Sequence, residues 1–377
     1  MEDKENSDCK LLRTKIFEQA LAADESGNLV LACELFEKCL AVDPNFARGW
    51  MCYAARLMKQ REFTKAIDAA EHAIALTPKN SIAHSTLGEI CMAQELWLQA
   101  EQAFLKSLTL KLRVTTWVFL GHTYSSLGRL DDAIESYKGA LKLEPDYDEA
   151  HYNLGCSYRL RGEFDKSIHH LRHAIAADPK YSHAYAELGF ALAEPGADAS
   201  ALLEAKSALV KSISLDPEYG WSRLYLANIH WRLGENQSAE EEYEAAIRIW
   251  PNSEVAYVSL AQFLAGTGDD RPRIKRHFQK AIKCDPKYAA AHYHYGGNLL
   301  NWNRRKEGER HLRQAAALGD RRAKELLAGL SPYVPKQERW PSCPVCGAPW
   351  KQAGSWYCPD CGNDMRSKTK KKPGAMF

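Results

Sequence analysis

The chain has 377 residues, 26% charged and 45% hydrophobic, a balance typical of a soluble, folded protein rather than a disordered one. Its formal net charge of +2 points to no particular partner. Seven of the eleven cysteines are scattered through predicted helices without pairing spacing, which favours reduced thiols in an intracellular protein.

The first residues are acidic and polar, and no apolar segment lies directly behind them, which argues against a secretory signal. No run of about 18 apolar residues occurs, so the sequence predicts no membrane-spanning helix. We therefore expect residues 1–12 to form a flexible N-terminus and the protein to be cytoplasmic.

One stretch in the middle of the chain shows how most of it is built. Four residues spaced i, i+3, i+4 and i+7 share one face of a predicted helix, and they are Trp117, Leu120, Gly121 and Tyr124. The second helix of the unit carries Ala133, Tyr137 and Ala140, with Gly128 before it and Pro145 after it. The stretch therefore predicts a helix–turn–helix unit.

This unit recurs along the chain. The prolines that close the successive units are Pro44, Pro78, Pro145, Pro179, Pro217, Pro251 and Pro286. They are separated by 34, 67, 34, 38, 34 and 35 residues, and the interval of 67 holds two units, the first of which lacks its proline. With one further unit at the C-terminal end, the spacing predicts about nine units over residues 13–320.

The order W-x2-L-G-x2-Y, then A-x3-[FY]-x2-A and a closing proline, resembles the tetratricopeptide repeat. The resemblance implies an all-α fold, a right-handed superhelix (α-solenoid) of about nine repeats. Large rings would fill the space between paired helices, small residues would let the backbones approach, and proline would end the second helix. After the array, residues 321–330 are predicted to form a capping helix and residues 331–341 a Pro-rich linker.

In this family the first helices line a concave groove, so the resemblance places partner binding on first-helix residues not needed for packing. In the middle units these residues are Val118, His122, Tyr152, Cys156, Arg159, Ala186, Phe190, Trp221, Leu224, Asn228 and Trp231, and Asn153 beside Tyr152 is a further candidate for partner binding. Aromatic anchors among polar groups suit an extended peptide. The alternative is that several of these rings are partly buried between neighbouring repeats.

The members of the family that bind chaperone tails clamp a carboxylate with Lys, Asn and Arg on three successive first helices. At the matching positions this chain keeps only Asn153, so the binding of such tails is disfavoured. The sequence has no G-x-x-x-x-G-K-[ST], H-E-x-x-H or G-x-S-x-G motif and no strand–turn–helix context for a glycine-rich loop, so we expect no enzymatic activity. The suggestive cluster His169, His170 and His173 is interpreted as a solvated helix face rather than a metal site.

Two C-P-x-C-G knuckles near the C-terminus place four thiols at metal-ligand spacing, and they are Cys343, Cys346, Cys358 and Cys361. Four thiolates form a closed tetrahedral site, so residues 342–365 resemble a zinc ribbon with one structural Zn²⁺. Iron and a disulfide pair are the alternatives.

Residues 366–377 form a basic tail that we expect to be disordered. These features together predict a noncatalytic scaffold that binds a protein or peptide partner in the groove. The alternatives are a nucleic-acid-associated adaptor that uses the ribbon and the lysine-rich tail, and a regulatory subunit of an enzyme complex.

Overall fold

The computed structural model describes residues 2–194, 196–268 and 270–330, where nineteen helices form and no strand. The predicted linker, zinc ribbon and basic tail lie outside the described residues. The helices are α1 Glu2–Glu25, α2 Leu29–Val42, α3 Ala47–Lys59, α4 Phe63–Leu76, α5 Ser81–Ala93, α6 Trp97–Leu110, α7 Val114–Ser126, α8 Leu130–Leu143, α9 Asp148–Leu160, α10 Phe164–Ala177, α11 Ser182–Leu192, α12 Ala199–Leu215, α13 Gly220–Arg232, α14 Asn236–Ile249, α15 Glu254–Thr267, α16 Arg271–Cys284, α17 Ala289–Asn301, α18 Arg305–Ala317 and α19 Arg321–Gly329.

The chain divides into two compact units, residues 1–274 and 275–377. In the first unit each odd-numbered helix from α1 to α13 packs on the helix that follows it, and each pair packs on the next. From α3 onward, consecutive first helices of these pairs also contact one another directly. The predicted all-helical solenoid of helix–turn–helix repeats is confirmed.

The two helices of each pair are joined by a turn in which one residue has the left-handed conformation. Gly128 holds this position in the central repeat with φ of 72°, and glycine has no side chain to oppose it. Three other repeats use Arg61, Glu95 and Asn303 at φ of 64°, 62° and 60°. The turn geometry therefore persists where glycine is missing, at a cost of roughly 1 kcal/mol per residue.

The small residue of the first helix is required by the ring that packs on it. A Cβ atom on Gly121 would lie 2.4 Å from Cε1 of Tyr137, and one on Gly88 would lie 2.5 Å from Cε1 of Phe104. Burial raises the pKa of Tyr137 to about 12, so its hydroxyl stays protonated at neutral pH. The close packing therefore depends on a glycine and a large ring together.

In the second unit α17 packs on α18, and α19 packs on α18. Ala323 of α19 is fully buried against Leu312 and Ala315. The Asp320 carboxylate begins α19 by accepting from the backbone N–H of Ala323 at 3.1 Å. This helix lies where the sequence predicted a cap.

Two local features differ from the simple repeat. α1 begins at Glu2, so the residues that we expected to be a flexible N-terminus are helical from that point. Between α11 and α12 the chain is longer, and Arg232 of α13 donates to the carbonyl oxygens of Ala193 and Glu194, the latter at 3.1 Å.

Candidate partner-binding face

The first-helix wall is the name we give to the surface formed by α9, α11 and α13. Because these helices contact one another, some positions predicted to be on the groove surface lie in the core instead. Val118 of the preceding α7, Ala186 and Leu224 are all buried, so the prediction that they line an open surface is wrong. Tyr152, at the corresponding position of its own repeat, remains half-buried.

One group of rings runs from α9 to the N-terminal ends of α11 and α13. The rings of Tyr152 and Tyr181 have centroids 4.8 Å apart, and those of His183 and Tyr219 lie 4.3 Å apart. All four side chains are half-buried. Burial raises the pKa of each tyrosine, so their hydroxyl groups remain hydrogen-bond donors at neutral pH.

A second group of rings joins α11 to α13. Phe190 lies 4.6 Å from Tyr225, which in turn stacks on Trp221 at 5.9 Å. Trp221 also meets the edge of Trp250 at 5.5 Å, yet 36% of its surface stays exposed. A large ring supported on two sides and open on the third has the properties of a binding anchor.

An ion pair lies between the ring groups. The Nε–H of Arg159 donates to Oε2 of Glu187 at 2.7 Å, and the guanidinium carbon lies 4.6 Å from the ring centre of Phe190. Glu187 is only 8% exposed, so removal of Arg159 would leave a carboxylate without its charged partner in a partly dehydrated site. The pair fixes the orientation of polar groups among the rings.

Three further predicted groove residues make hydrogen bonds or ring contacts within the fold. The amide of Asn153 donates to the carbonyl of Glu149 at 2.8 Å. Asn228 is exposed, but its side-chain oxygen accepts from the hydroxyl of Tyr243 at 2.7 Å. Trp231 packs edge-on against Phe263, with ring centroids 5.8 Å apart. The structure thus gathers Tyr152, Arg159, Phe190 and Trp221 near the two ring groups, whereas Trp231 packs against α15.

Sequence reasoning missed Tyr181 and Tyr219, although a signal for them exists. Each lies two residues after a closing proline and occupies the N-cap position of the next first helix without a side-chain capping bond. Their rings are therefore free to pack across the wall. The spacing Pro-x-Tyr recurs at Pro145, Pro179, Pro217 and Pro286, so it could have been found by aligning the repeats with one another.

A different cluster, four histidines, lies on α9 and α10. His169 and His173 are exposed, His170 is half-buried, and His151 of α9 is buried. Nδ1 of His151 lies 3.0 Å from Nδ1 of His170. Within the described residues no group of three or more His, Cys, Asp or Glu side chains is arranged to hold a metal ion. No described helix is both long and apolar enough to cross a membrane.

Comparison with known protein families agrees with this architecture. Models of the tetratricopeptide repeat match residues 54–111, 148–181 and 220–263, and a model described as a TPR repeat matches residues 121–158. Residues 54–111, 121–181 and 220–263 therefore carry tetratricopeptide repeats.

Individual relatives match parts of the chain. The BBSome complex member BBS4 of Mus musculus is 29% identical over 141 residues, 37% of this chain and 27% of that protein. Tetratricopeptide repeat protein 6 of Homo sapiens is 24% identical over 120 residues, 32% of this chain and 23% of that protein. The matched segments span about a quarter of the length of these curated relatives.

A solved tetratricopeptide repeat protein from Parabacteroides merdae is 17% identical to this chain, with a TM-score of 0.58. The match covers 66% of this chain and 98% of that one. At this level of identity the likeness shows the fold alone.

Proposed function

We propose that this protein is a noncatalytic cytoplasmic scaffold that binds an extended segment of a protein partner along the first-helix wall. The observation that carries the proposal is the pair of ring groups around the Arg159–Glu187 ion pair. Rigid rings supply contact area at a low cost in conformational entropy, and charged groups among them select the direction of a bound chain. The seven cysteines among the described residues are free thiols, which fits a reducing compartment.

Three further points support a binding role. Tetratricopeptide repeat proteins generally bind protein or peptide partners. The mouse relative BBS4 is, by its name, a member of a complex. An extended groove ligand makes main-chain hydrogen bonds as well as side-chain contacts, and the protonated tyrosines of the wall are suitable donors.

We also propose that the four C-terminal cysteines hold one structural Zn²⁺. This proposal rests on the sequence, because Cys343, Cys346, Cys358 and Cys361 lie outside the described residues. Two C-P-x-C-G knuckles supply four soft thiolate donors, which is the donor set that Zn²⁺ takes in closed structural sites.

The partner-binding proposal is tested by affinity capture from native lysate with matched variants. Trp221→Ala combined with Tyr225→Ala changes the wall, and Leu203→Ala combined with Val210→Ala changes an exposed apolar surface of α12. We expect specific partner proteins to be lost from the wall variant and retained by the α12 variant. Equal capture by the two variants would contradict the proposal.

Nuclease treatment of the same lysate distinguishes the protein-binding scaffold from the main alternative, a nucleic-acid-associated adaptor. Protein partners that remain after treatment support the scaffold. Recovery that disappears with nuclease, and does not depend on the wall residues, would favour a nucleic-acid adaptor instead.

A further inference from the structure

Two exposed imidazoles lie side by side on α10. His169 and His173 are separated by one helical turn, and their ring centroids are 4.6 Å apart. Both line a surface cavity of about 560 Å³, together with Asp165, Arg172 and Leu192. The spacing i, i+4 is the one by which a helix presents two histidines to a single metal ion.

The exposed pair is supported by His151, which is buried, and by His170, which is half-buried. Nε2–H of His151 donates to the carbonyl oxygen of Pro145 at 2.8 Å. A carbonyl can only accept, so in the neutral ring Nδ1 of His151 is left to accept the Nδ1–H of His170 at 3.0 Å. These contacts fix both rings.

The exposed rings pack on this fixed pair. The ring of His173 stacks on His151 at 4.9 Å with an interplanar angle of 14°, and the ring of His169 meets His170 at 5.1 Å and 76°. Side chains held by packing lose less conformational freedom when they bind, so this packing lowers the entropic cost of metal ligation by the exposed pair.

In place of the solvated helix face that the sequence alone indicates, we propose that His169 and His173 bind a divalent first-row transition metal ion such as Zn²⁺, Ni²⁺ or Cu²⁺. Imidazole suits these ions, and two protein ligands leave positions for water or for a side chain of a partner. The carboxylate of Asp165 lies one turn before His169 on the same stripe of α10. The nearby charge of Arg172 is engaged by Glu204, with Nη2 and Oε1 2.5 Å apart.

The chain contains its own control for this proposal. In the ninth repeat Nδ1 of His292 lies 3.0 Å from Nδ1 of His311, and Nε2 of His292 lies 3.1 Å from the carbonyl oxygen of Pro286. This pair repeats the buried arrangement at the same sequence separation. The positions equivalent to His169 and His173 are occupied by Arg310 and Gln314, which are exposed.

The test is a titration of the full chain with Ni²⁺, measured by isothermal calorimetry. The variant His169→Arg with His173→Gln carries the ninth-repeat residues in the fifth repeat. It should bind one Ni²⁺ fewer per chain, or bind it at least about tenfold more weakly, with an unchanged circular dichroism spectrum. Unchanged Ni²⁺ binding by this variant would overturn the proposal. The cysteine knuckles are the same in both proteins, so their contribution cancels.

The reverse variant gives an independent result. Arg310→His with Gln314→His should add one Ni²⁺ site above the buried His292–His311 pair. A folded variant that gains no site would overturn the claim that two imidazoles supported in this way are sufficient for binding.

Discussion

Nε2 of His151 lies 2.8 Å from the carbonyl oxygen of Pro145, six residues earlier in the chain. The same relationship recurs in other repeats with different rings, namely Trp50 with Pro44 at 2.8 Å, His84 with Pro78 at 3.0 Å, Tyr257 with Pro251 at 3.2 Å and His292 with Pro286 at 3.1 Å. The end of a helix leaves carbonyl groups without partners, and in these repeats a ring on the next first helix bonds the carbonyl of the closing proline.

Removal of this donor should lower the free energy of unfolding most where the same ring makes a second hydrogen bond. His151→Ala removes the bonds to both Pro145 and His170, so the free energy of unfolding should fall by roughly 1–3 kcal/mol. The control His84→Ala removes one bond in a less buried setting, and the loss should be smaller. Urea denaturation followed by circular dichroism measures both. Equal losses would show that the His151–His170 contact contributes nothing.

Stability should also depend on pH through the buried histidines. Burial, helped by neighbouring imidazoles, lowers the pKa of His170 and of His311 to about 4, from the ordinary value of 6.5. Between these values the unfolded chain binds more protons than the folded one, so the free energy of unfolding falls as pH decreases from 6.5 towards 4. Below about 4 these histidines cause no further loss.

Urea midpoints measured across this range test the pH prediction. His170→Gln with His311→Gln should flatten the dependence, because an amide can donate a hydrogen bond but does not titrate. The paired carboxylates of Asp24 and Asp320 have a pKa below 3.8, so their contribution is lost only at lower pH. A variant as sensitive as the native protein between pH 6.5 and 4 would contradict the assignment.

Adjacent glycines in α17 should respond in opposite ways to alanine. A Cβ on Gly297 meets nothing within 4 Å, so Gly297→Ala should raise the free energy of unfolding by about 0.5–1 kcal/mol. A Cβ on Gly296 would lie 2.9 Å from Cγ of Leu312 and 3.0 Å from the carbonyl oxygen of Gly308. Gly296→Ala should therefore lower it by roughly 1–3 kcal/mol. Thermal unfolding of the two variants compares them directly, and a shift of the same sign in both would contradict the packing.

The repeat and its helices could be predicted from the sequence because their causes are local. Gly121 and Tyr137 recur at a fixed spacing, and the spacing alone places them on facing helices. The site was less predictable because exposure depends on the neighbouring repeat. Tyr152 and Leu224 occupy the same position of their repeats, yet one is half-buried and the other is buried.

The contacts within the two histidine pairs could not be predicted from the sequence. His151 and His170 are 19 residues apart, on different helices, and each has no unusual local pattern. The periodicity shows which face of a helix is apolar, but it does not show which polar rings meet across a pair. A comparison with His292 and His311, also 19 residues apart, would have been the available clue.

Two tryptophans that were predicted to share the groove should behave differently. Trp221→Ala removes an exposed anchor, so partner binding should weaken by roughly 1–3 kcal/mol while the helical spectrum is unchanged. Trp231→Ala removes a ring that contacts Phe263 and covers Gly266, so stability should fall by about 2–4 kcal/mol. Partner affinity and urea unfolding, measured for both variants, separate the two roles. A stable Trp231→Ala protein would show that this ring is not part of the core.

The proposed zinc ribbon should fold only when it binds its metal ion. Four thiolates bind Zn²⁺ only once they are deprotonated and brought together, so ligation and local folding of residues 342–365 should be one event. Each repeat of a solenoid packs only against the adjacent repeats. Loss of the metal should therefore leave the unfolding of the array nearly unchanged. In a chain that carries His169→Arg and His173→Gln, and therefore lacks the proposed histidine site, elemental analysis should find about one zinc per chain, with or without the control Cys9→Ser, whose thiol is exposed on α1. Cys343→Ser and Cys361→Ser should lose it. Iron in place of zinc, or an array that unfolds together with metal loss, would contradict the proposal.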